Sequence, residues 1–312
     1  MLDVKRLRVL REVAAHGSFS AAADALAYTQ SAVSQQIATL EREAGTLLVD
    51  RSARGVSLTD AGEALVRHAD AILARLSEAE AELEAIAGLR GGRLRLVAFP
   101  TAGATLAPRA IAAFRERHPG VEITLIPGEP EDGLAALKSG ETDIALLIES
   151  GFETCYDPAI ERTPVMEDPM YVLLPAGHPL AERRRMRLEE LRDESWIVGS
   201  TSSTCPDALI LLRACQSAGF EPRIAFNSDD YLAIQGFVAA GMGVSMIPDL
   251  AMLALRDDVV VRSLRTRPPV RHVVAGTLAD GYCSPAKQAM LEILCEVGRE
   301  FEAKRQTLAL AV

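Results

Sequence analysis

Three groups of side chains could do chemistry here, and in each the chemistry is hydrogen bonding. Gln30, Ser31, Ser34 and Gln35 fall within "TQSAVSQQIATLERE" (29–43). Wound as a helix, that stretch puts Val33, Ile37, Leu40 and Ala44 on one stripe and the amides and hydroxyls opposite. Glutamine can offer a bidentate amide to adenine, and serine can bond bases or phosphates. Acids, which a phosphate backbone would repel, begin only at Glu41. The second group is Thr201, Ser202 and Ser203 in "GSTSST" (199–204), with Thr101 in "FPTAG" (99–103). Hydroxyls beside a helix N-terminus suit an anion, so a small organic acid is the first expected ligand. The third, "NSDD" (227–230), could meet a cationic group and so admit an amino acid. The expected role of Asp229 or Ser228 is nonetheless to cap the next helix.

Nothing comparable points to bond making. His16, His68, His118, His178 and His272 are far apart, none beside a nucleophile motif, and there is no G-x-S-x-G or P-loop. Five scattered cysteines without a C-x-x-C give no metal site and suit a reducing compartment. No enzymatic activity and no cofactor are therefore expected. The N-terminus has charges throughout and no apolar core, and no run approaches the length of a membrane span. A cytoplasmic location is expected, with no membrane partner; a free-standing solute-binding protein would need export.

The elements that position these groups fall into three series. Residues 1–58 predict three short helices, with Gly17 stopping the first, Ser18 and Thr29 capping the others, and two β-like pieces around Arg51, Arg54 and Gly55. Two helices joined by so tight a turn have the shape of a helix-turn-helix, and the tail would make its wing. From Thr59 to about Gly88, Leu65, Ala69, Ile72, Leu76, Ala79, Leu83 and Ile86 recur at steps of three and four, a coiled-coil seam. Beyond the hinge-like "GLRGG" (88–92), strands and helices alternate in two series, which predicts parallel sheets in two lobes with a cleft between. Lobe I is expected over about 92–166 and 268–312, and lobe II over about 167–267.

The run "GSFSAAADALAYTQSAVSQQIATLEREAGTLLVDRSARGVSLTDAG", with "GHPLA" (177–181) and "AAGMGVSMIP" (239–248), resembles the LysR-type transcriptional regulators over nearly the whole chain. Departures are small: Leu10 and Val49 stand where the family often places phenylalanine, and "FPTAGATLAP" lacks a common serine. The resemblance implies a mainly α winged helix-turn-helix domain (1–58), a linker helix that dimerises (59–88), and an α/β, two-lobed, periplasmic-binding-protein-like effector domain (89–312). It implies that Gln30, Ser31, Ser34 and Gln35 face the major groove of double-stranded DNA, with Arg51 and Arg54 on phosphates. It places a small-molecule effector between Thr101, Ala102, Gly103, Gly128 and Ile148 of one lobe and Thr201, Ser202, Ser203 and Asn227 of the other. Homodimers, homotetramers through the effector domains and contact with RNA polymerase are also implied.

Two features cut across this picture. The chain carries a net charge of −10, and residues 1–66 hold seven Lys and Arg against eight acids, so DNA binding must rest on local placement and on two units per complex. Cys205 and Cys215 lie roughly where the family's peroxide-sensing branch keeps its reactive pair, an alternative signal. Ten helical residues would hold them about 15 Å apart, beyond disulfide reach unless the helix unwinds.

Overall fold

The computed structural model describes residues 2–52, 55–86, 92–151, 157–199 and 206–310. The Asp3 carboxylate accepts from the Lys5 and Arg6 N–H groups and so starts α1 (Val4–His16), which Gly17 closes in the left-handed region. Ser18 caps α2 (Phe19–Ala25), and Thr29 caps α3 (Gln30–Ala44), which ends at the left-handed Gly45. Leu7, Leu10, Val13, Val33, Ile37 and Leu40 are buried together between these helices. Burying each such side chain contributes about 1.5–3 kcal/mol. Ala44, expected on the same stripe, is exposed at the last position of α3.

The wing is an antiparallel pair, β1 (Val49–Ser52) and β2 (Gly55–Leu58). It is tied to α1 by the Val56 N–H, which donates to Gly17 O at 3.0 Å. Glu41 ties it to α3 by accepting from the Leu48 and Val49 N–H groups at 3.0 and 3.3 Å. The Thr59 hydroxyl accepts from the Gly62 N–H at 3.0 Å and opens α4 (Asp60–Ile86). Glycine is required at 62, since a Cβ there would lie 2.0 Å from Leu48 O.

The expected seven-residue seam on α4 divides between two jobs. Ala69 is fully buried in the core of the winged domain and Leu65 packs against it, so neither is left for a partner helix. Ile72, Leu76 and Leu83 are 42%, 45% and 66% exposed, and Ala79 is exposed beside them. The Ile86 side chain lies outside the described ones. The change of job follows from geometry: the first turns of α4 lie along α1, and the later turns run clear of it.

In the second half, β3 (Arg93–Ala98), α5 (Pro100–Ala104), α6 (Leu106–Arg117), β4 (Glu122–Pro127), α7 (Pro130–Lys138) and β5 (Ile144–Glu149) come first. Then follow β6 (Ile160–Pro175), β7 (Arg185–Met186), β8 (Ser195–Val198), α8 (Pro206–Ser217), β9 (Arg223–Asn227), α9 (Tyr231–Ala239) and β10 (Val244–Pro248). β11 (Val259–Leu264), β12 (Val270–Leu278) and α10 (Pro285–Leu310) close the chain. The sheet order is β4-β3-β5-β12-β6-β10-β8-β9, with β11 added on β6. β3 pairs in parallel with β4 and β5, and β8 with β9 and β10.

The expectation of parallel sheets holds for these strands and is corrected for the rest. β12 runs antiparallel to β5 and β6, and β10 and β11 run antiparallel to β6. The reason lies in the connection of the lobes. β6, 16 residues long, pairs with β12 up to Pro169 and with β10 and β11 from Met170 onward, so one strand belongs to both lobes. β12 brings the chain back beside it in the opposite direction.

The two halves of the chain touch. The Arg11 guanidinium, 9% exposed, pairs with Glu12 at 2.8 Å and with Glu141 across the boundary. Gly140, at φ +70°, lies so close to α4 that a Cβ would meet Ala74 Cα at 2.6 Å. Among the described residues no helix is long and apolar enough to cross a membrane, and no group of three or more His, Cys, Asp or Glu could hold a metal ion.

Candidate functional site

On α3 the polar face is presented as expected. Gln30, Ser31 and Gln35 are exposed and Ser34 is half-buried, while Val33, Ile37 and Leu40 are fully buried beneath them. The Ser31 hydroxyl lies 3.0 Å from that of Thr29, which also accepts from the Ala32 N–H. Acids on this helix are engaged behind the face: Glu41 with the wing backbone, and Glu43 with Arg6 at 2.5 Å. Arg51 lies in β1, its side chain outside the described ones, and Arg54 lies outside the described residues.

Between the lobes sits a cavity of about 140 Å³. Its walls come from Phe99, Pro100 and Thr101, from Glu129, Pro130 and Glu131 at the start of α7, and from Ile148 at the end of β5. The facing lobe adds Gly199, Pro206, Asp207, Ser228, Asp229 and Tyr231, and Arg271 forms the floor. Arg271 stands opposite Asp168 in the β12–β6 ladder and donates through Nε to Asp168 Oδ2 at 2.8 Å. Its Nη1 donates to Asp207 Oδ2 at 2.9 Å, and its Nη2 to the Thr101 hydroxyl at 2.7 Å. The Tyr231 hydroxyl donates to the same Asp207 carboxylate.

Arg271 and Asp168 are 1% and 0% exposed. Burial works against the Arg271 charge, but Asp207 and Asp168 more than offset it and raise its pKa, so it stays protonated. Burial pushes Asp168 up, and Arg271 pulls it back. Glu129 is also raised, first by burial and then by Asp229, Asp207 and Asp132.

Of the expected effector residues, Thr101 and Ile148 line this cavity. Thr101 does so with its hydroxyl oxygen accepting from Arg271. Ala102 is buried in the lobe I core, and Gly103, Gly128 and Asn227 are not on the walls. Thr201, Ser202 and Ser203 lie outside the described residues. The expectation that Asp229 or Ser228 caps α9 is corrected: the next residue, Asp230, does so by accepting from the Leu232 N–H at 2.8 Å, which leaves Ser228 and Asp229 on the wall. Sequence reasoning missed Glu129, Asp207, Tyr231 and Arg271. The one signal available was that each sits near one end of an apolar strand or the start of a helix.

Cys215 is fully buried in α8, and burial pushes its thiol up to about 12, far from a reactive thiolate. Cys205 lies outside the described residues.

The LysR substrate binding domain model matches residues 87–299, two-thirds of the chain. The chain belongs to the LysR family. The bacterial regulatory helix-turn-helix model of the same family matches residues 4–63 of this LysR-family protein. It is 31% identical over 280 residues to the transcriptional dual regulator GltC of Bacillus subtilis, covering 88% of this chain and 89% of that one. It is 31% identical over 246 residues to the RuBisCO operon transcriptional regulator of Allochromatium vinosum, covering 79% of each. A full-length OxyR variant from Pseudomonas aeruginosa superposes over 96% of this chain and 97% of its own with a TM-score of 0.69. At 24% identity, that likeness shows the fold alone. This LysR-family chain is thus a DNA-binding transcriptional regulator, with α3 in the helix-turn-helix and an effector-binding domain around the cavity.

Proposed function

We propose that this regulator is switched by a small molecule carrying a cationic group, an amino acid or an amine, held between the lobes. Of the two ligand chemistries expected from sequence, the simple organic acid is the less favoured. The observation that carries this reading is the charge of the cavity wall. Glu129, Glu131, Asp207 and Asp229 face Arg271, whose charge is already taken up by Asp168 and Asp207. A lone carboxylate entering this cavity would meet repulsion, whereas an ammonium group would find partners in Glu129 and Asp229. The small volume, below the roughly 300–1,000 Å³ of sites for drug-sized ligands, favours a compact effector.

Binding there would change lobe closure or subunit packing and so the spacing of paired DNA-binding units, with reciprocal linkage between effector and DNA. Dimers through the outer part of α4, tetramers through the effector domains and contact with RNA polymerase complete the proposal.

Thermal melting of the full chain against amines, amino acids and organic acids tests it. A ligand at about a hundred times its Kd adds roughly 2.7 kcal/mol, a shift of several degrees. The shift should come from amines or amino acids and be lost in Glu129→Gln/Asp229→Asn. Because the Glu129 pKa is raised and its ionised form is needed, affinity should weaken on acidification earlier than an ordinary glutamate would allow. Shifts from organic acids alone would overturn the reading.

On the DNA side, Gln30→Ala and Gln35→Ala should each cost about 1–3 kcal/mol of discrimination at one base pair. Both side chains are exposed, so the melting temperature should hold. Competition against single-base operator variants reads the effect; an unchanged preference profile would move base reading elsewhere.

A further inference from the structure

Although the chain is acidic overall, one open groove of about 1160 Å³ gathers seven basic side chains against a single acid, Asp249. The bases come from four places: Arg109 on α6, Lys304 and Arg305 on α10, the run Arg183 to Arg185, and Arg265 just after β11. The first two elements pack on lobe I; the last two belong to lobe II. The floor between them is apolar, formed among others by Tyr171, Leu253 and Phe301. Some of the charge is partly engaged: Arg183 pairs with Glu190 at 2.5 Å, Arg305 donates to Glu167 O at 2.7 Å, and Arg109 stacks over the Phe301 ring at 4.3 Å. Glu190 offsets Arg183, but carbonyl and ring contacts do not cancel a positive charge, so a positive excess remains.

Like charges brought together from four elements of two lobes cost free energy unless an anion shares the site. Guanidinium groups bind phosphate and carboxylate through paired hydrogen bonds, and the floor offers apolar surface beside them. A DNA backbone would leave that floor unused.

We propose that this groove is a second ligand site, taking a multiply charged small anion with an apolar or aromatic portion. Such a ligand would bridge the lobes from outside the effector cavity. The link to that cavity is short. Asp249 lines the groove, and the next residue, Leu250, donates its N–H at 3.2 Å to Asp168, the buried partner of Arg271 on the cavity floor. The charge of this groove is opposite to that of the cavity, so the two sites would answer to different molecules and couple through one hinge.

The test is calorimetric titration of the full chain with pyrophosphate, citrate and ATP, at an ionic strength held constant with potassium chloride. Saturable binding is expected, tightest for ATP because it alone reaches the apolar floor. Pyrophosphate saturating without citrate would name phosphate as the anion; the converse would name carboxylate. Arg265→Gln/Lys304→Gln should weaken binding about 30-fold or more, as expected for two charge-assisted hydrogen bonds. Both side chains are exposed, and the equally exposed Arg109→Gln/Arg184→Gln provides a second pair should the first fold poorly. Heats that rise with ligand concentration without saturating would overturn the proposal, as would unchanged affinity in both variants. A variant that loses operator affinity but keeps anion binding would also overturn it and make the groove a DNA surface.

Discussion

Arg271→Met is expected to destabilise the effector half by about 3–5 kcal/mol, the cost of removing one partner from a buried ion pair. The guanidinium is 1% exposed and shared by two carboxylates, one of them, Asp168, fully buried. Methionine fills much of the space and returns none of the charge, so Asp168 and Asp207 would face each other uncompensated. For a domain of this size the loss corresponds to a fall in Tm of about 6–20 °C. Asp168→Asn should cost less, because Asp207 still balances Arg271. Combining Arg271→Met with Asp168→Asn should recover part of the loss, a coupling that a purely local packing defect would not give. The measurement is urea or thermal unfolding of the three variants beside the wild type. If Arg271→Met melts within a degree or two of the wild type, the buried pair is not what holds the lobes in register.

The same pair shows where sequence reasoning stops. The winged domain was legible because its signals are local. Caps at Ser18 and Thr29, left-handed glycines at 17 and 45 and one apolar stripe on α3 all lie within a few residues of what they control. The alternation of strands and helices was legible for the same reason. The floor of the effector cavity was not, because Arg271 reaches Asp168 across 103 residues and Thr101 across 170. Spacing along the chain carries no trace of that meeting. Hydroxyl-rich "GSTSST" and "FPTAG" suggested an anion site, but the described lining is set by carboxylates from Glu129, Asp207 and Asp229, which look ordinary in sequence. The direction of β12 was hidden likewise, since apolar runs look alike whether a strand runs parallel or antiparallel.

The outer part of α4 carries the largest expected effect on DNA binding. Ile72→Glu with Leu76→Glu should leave the monomer folded, because these side chains are 42% and 45% exposed in the single chain. Leu65 and Ala69, in contrast, are needed by the winged core and cannot be used to test dimerisation cleanly. Two acids on this stripe would set like charges against each other in any symmetric pairing of α4 with a second copy, and should yield monomers. The consequence for DNA follows from charge. With seven bases against eight acids in residues 1–66, one winged domain has little non-specific attraction to draw on. Operator affinity must then come from joining two units, where the second binds at high effective concentration, a gain of about 10²–10⁴-fold. Light scattering should show the monomer, and gel-shift titration at fixed salt should show operator affinity falling by that factor, while the Tm of the chain changes little. A variant that remains dimeric and binds its operator normally would remove the outer part of α4 as the joining surface. Attention would then turn to the exposed, stacked Phe226 and Phe237 of lobe II, whose ring centroids lie 5.0 Å apart, as the next apolar surface able to bring two copies together.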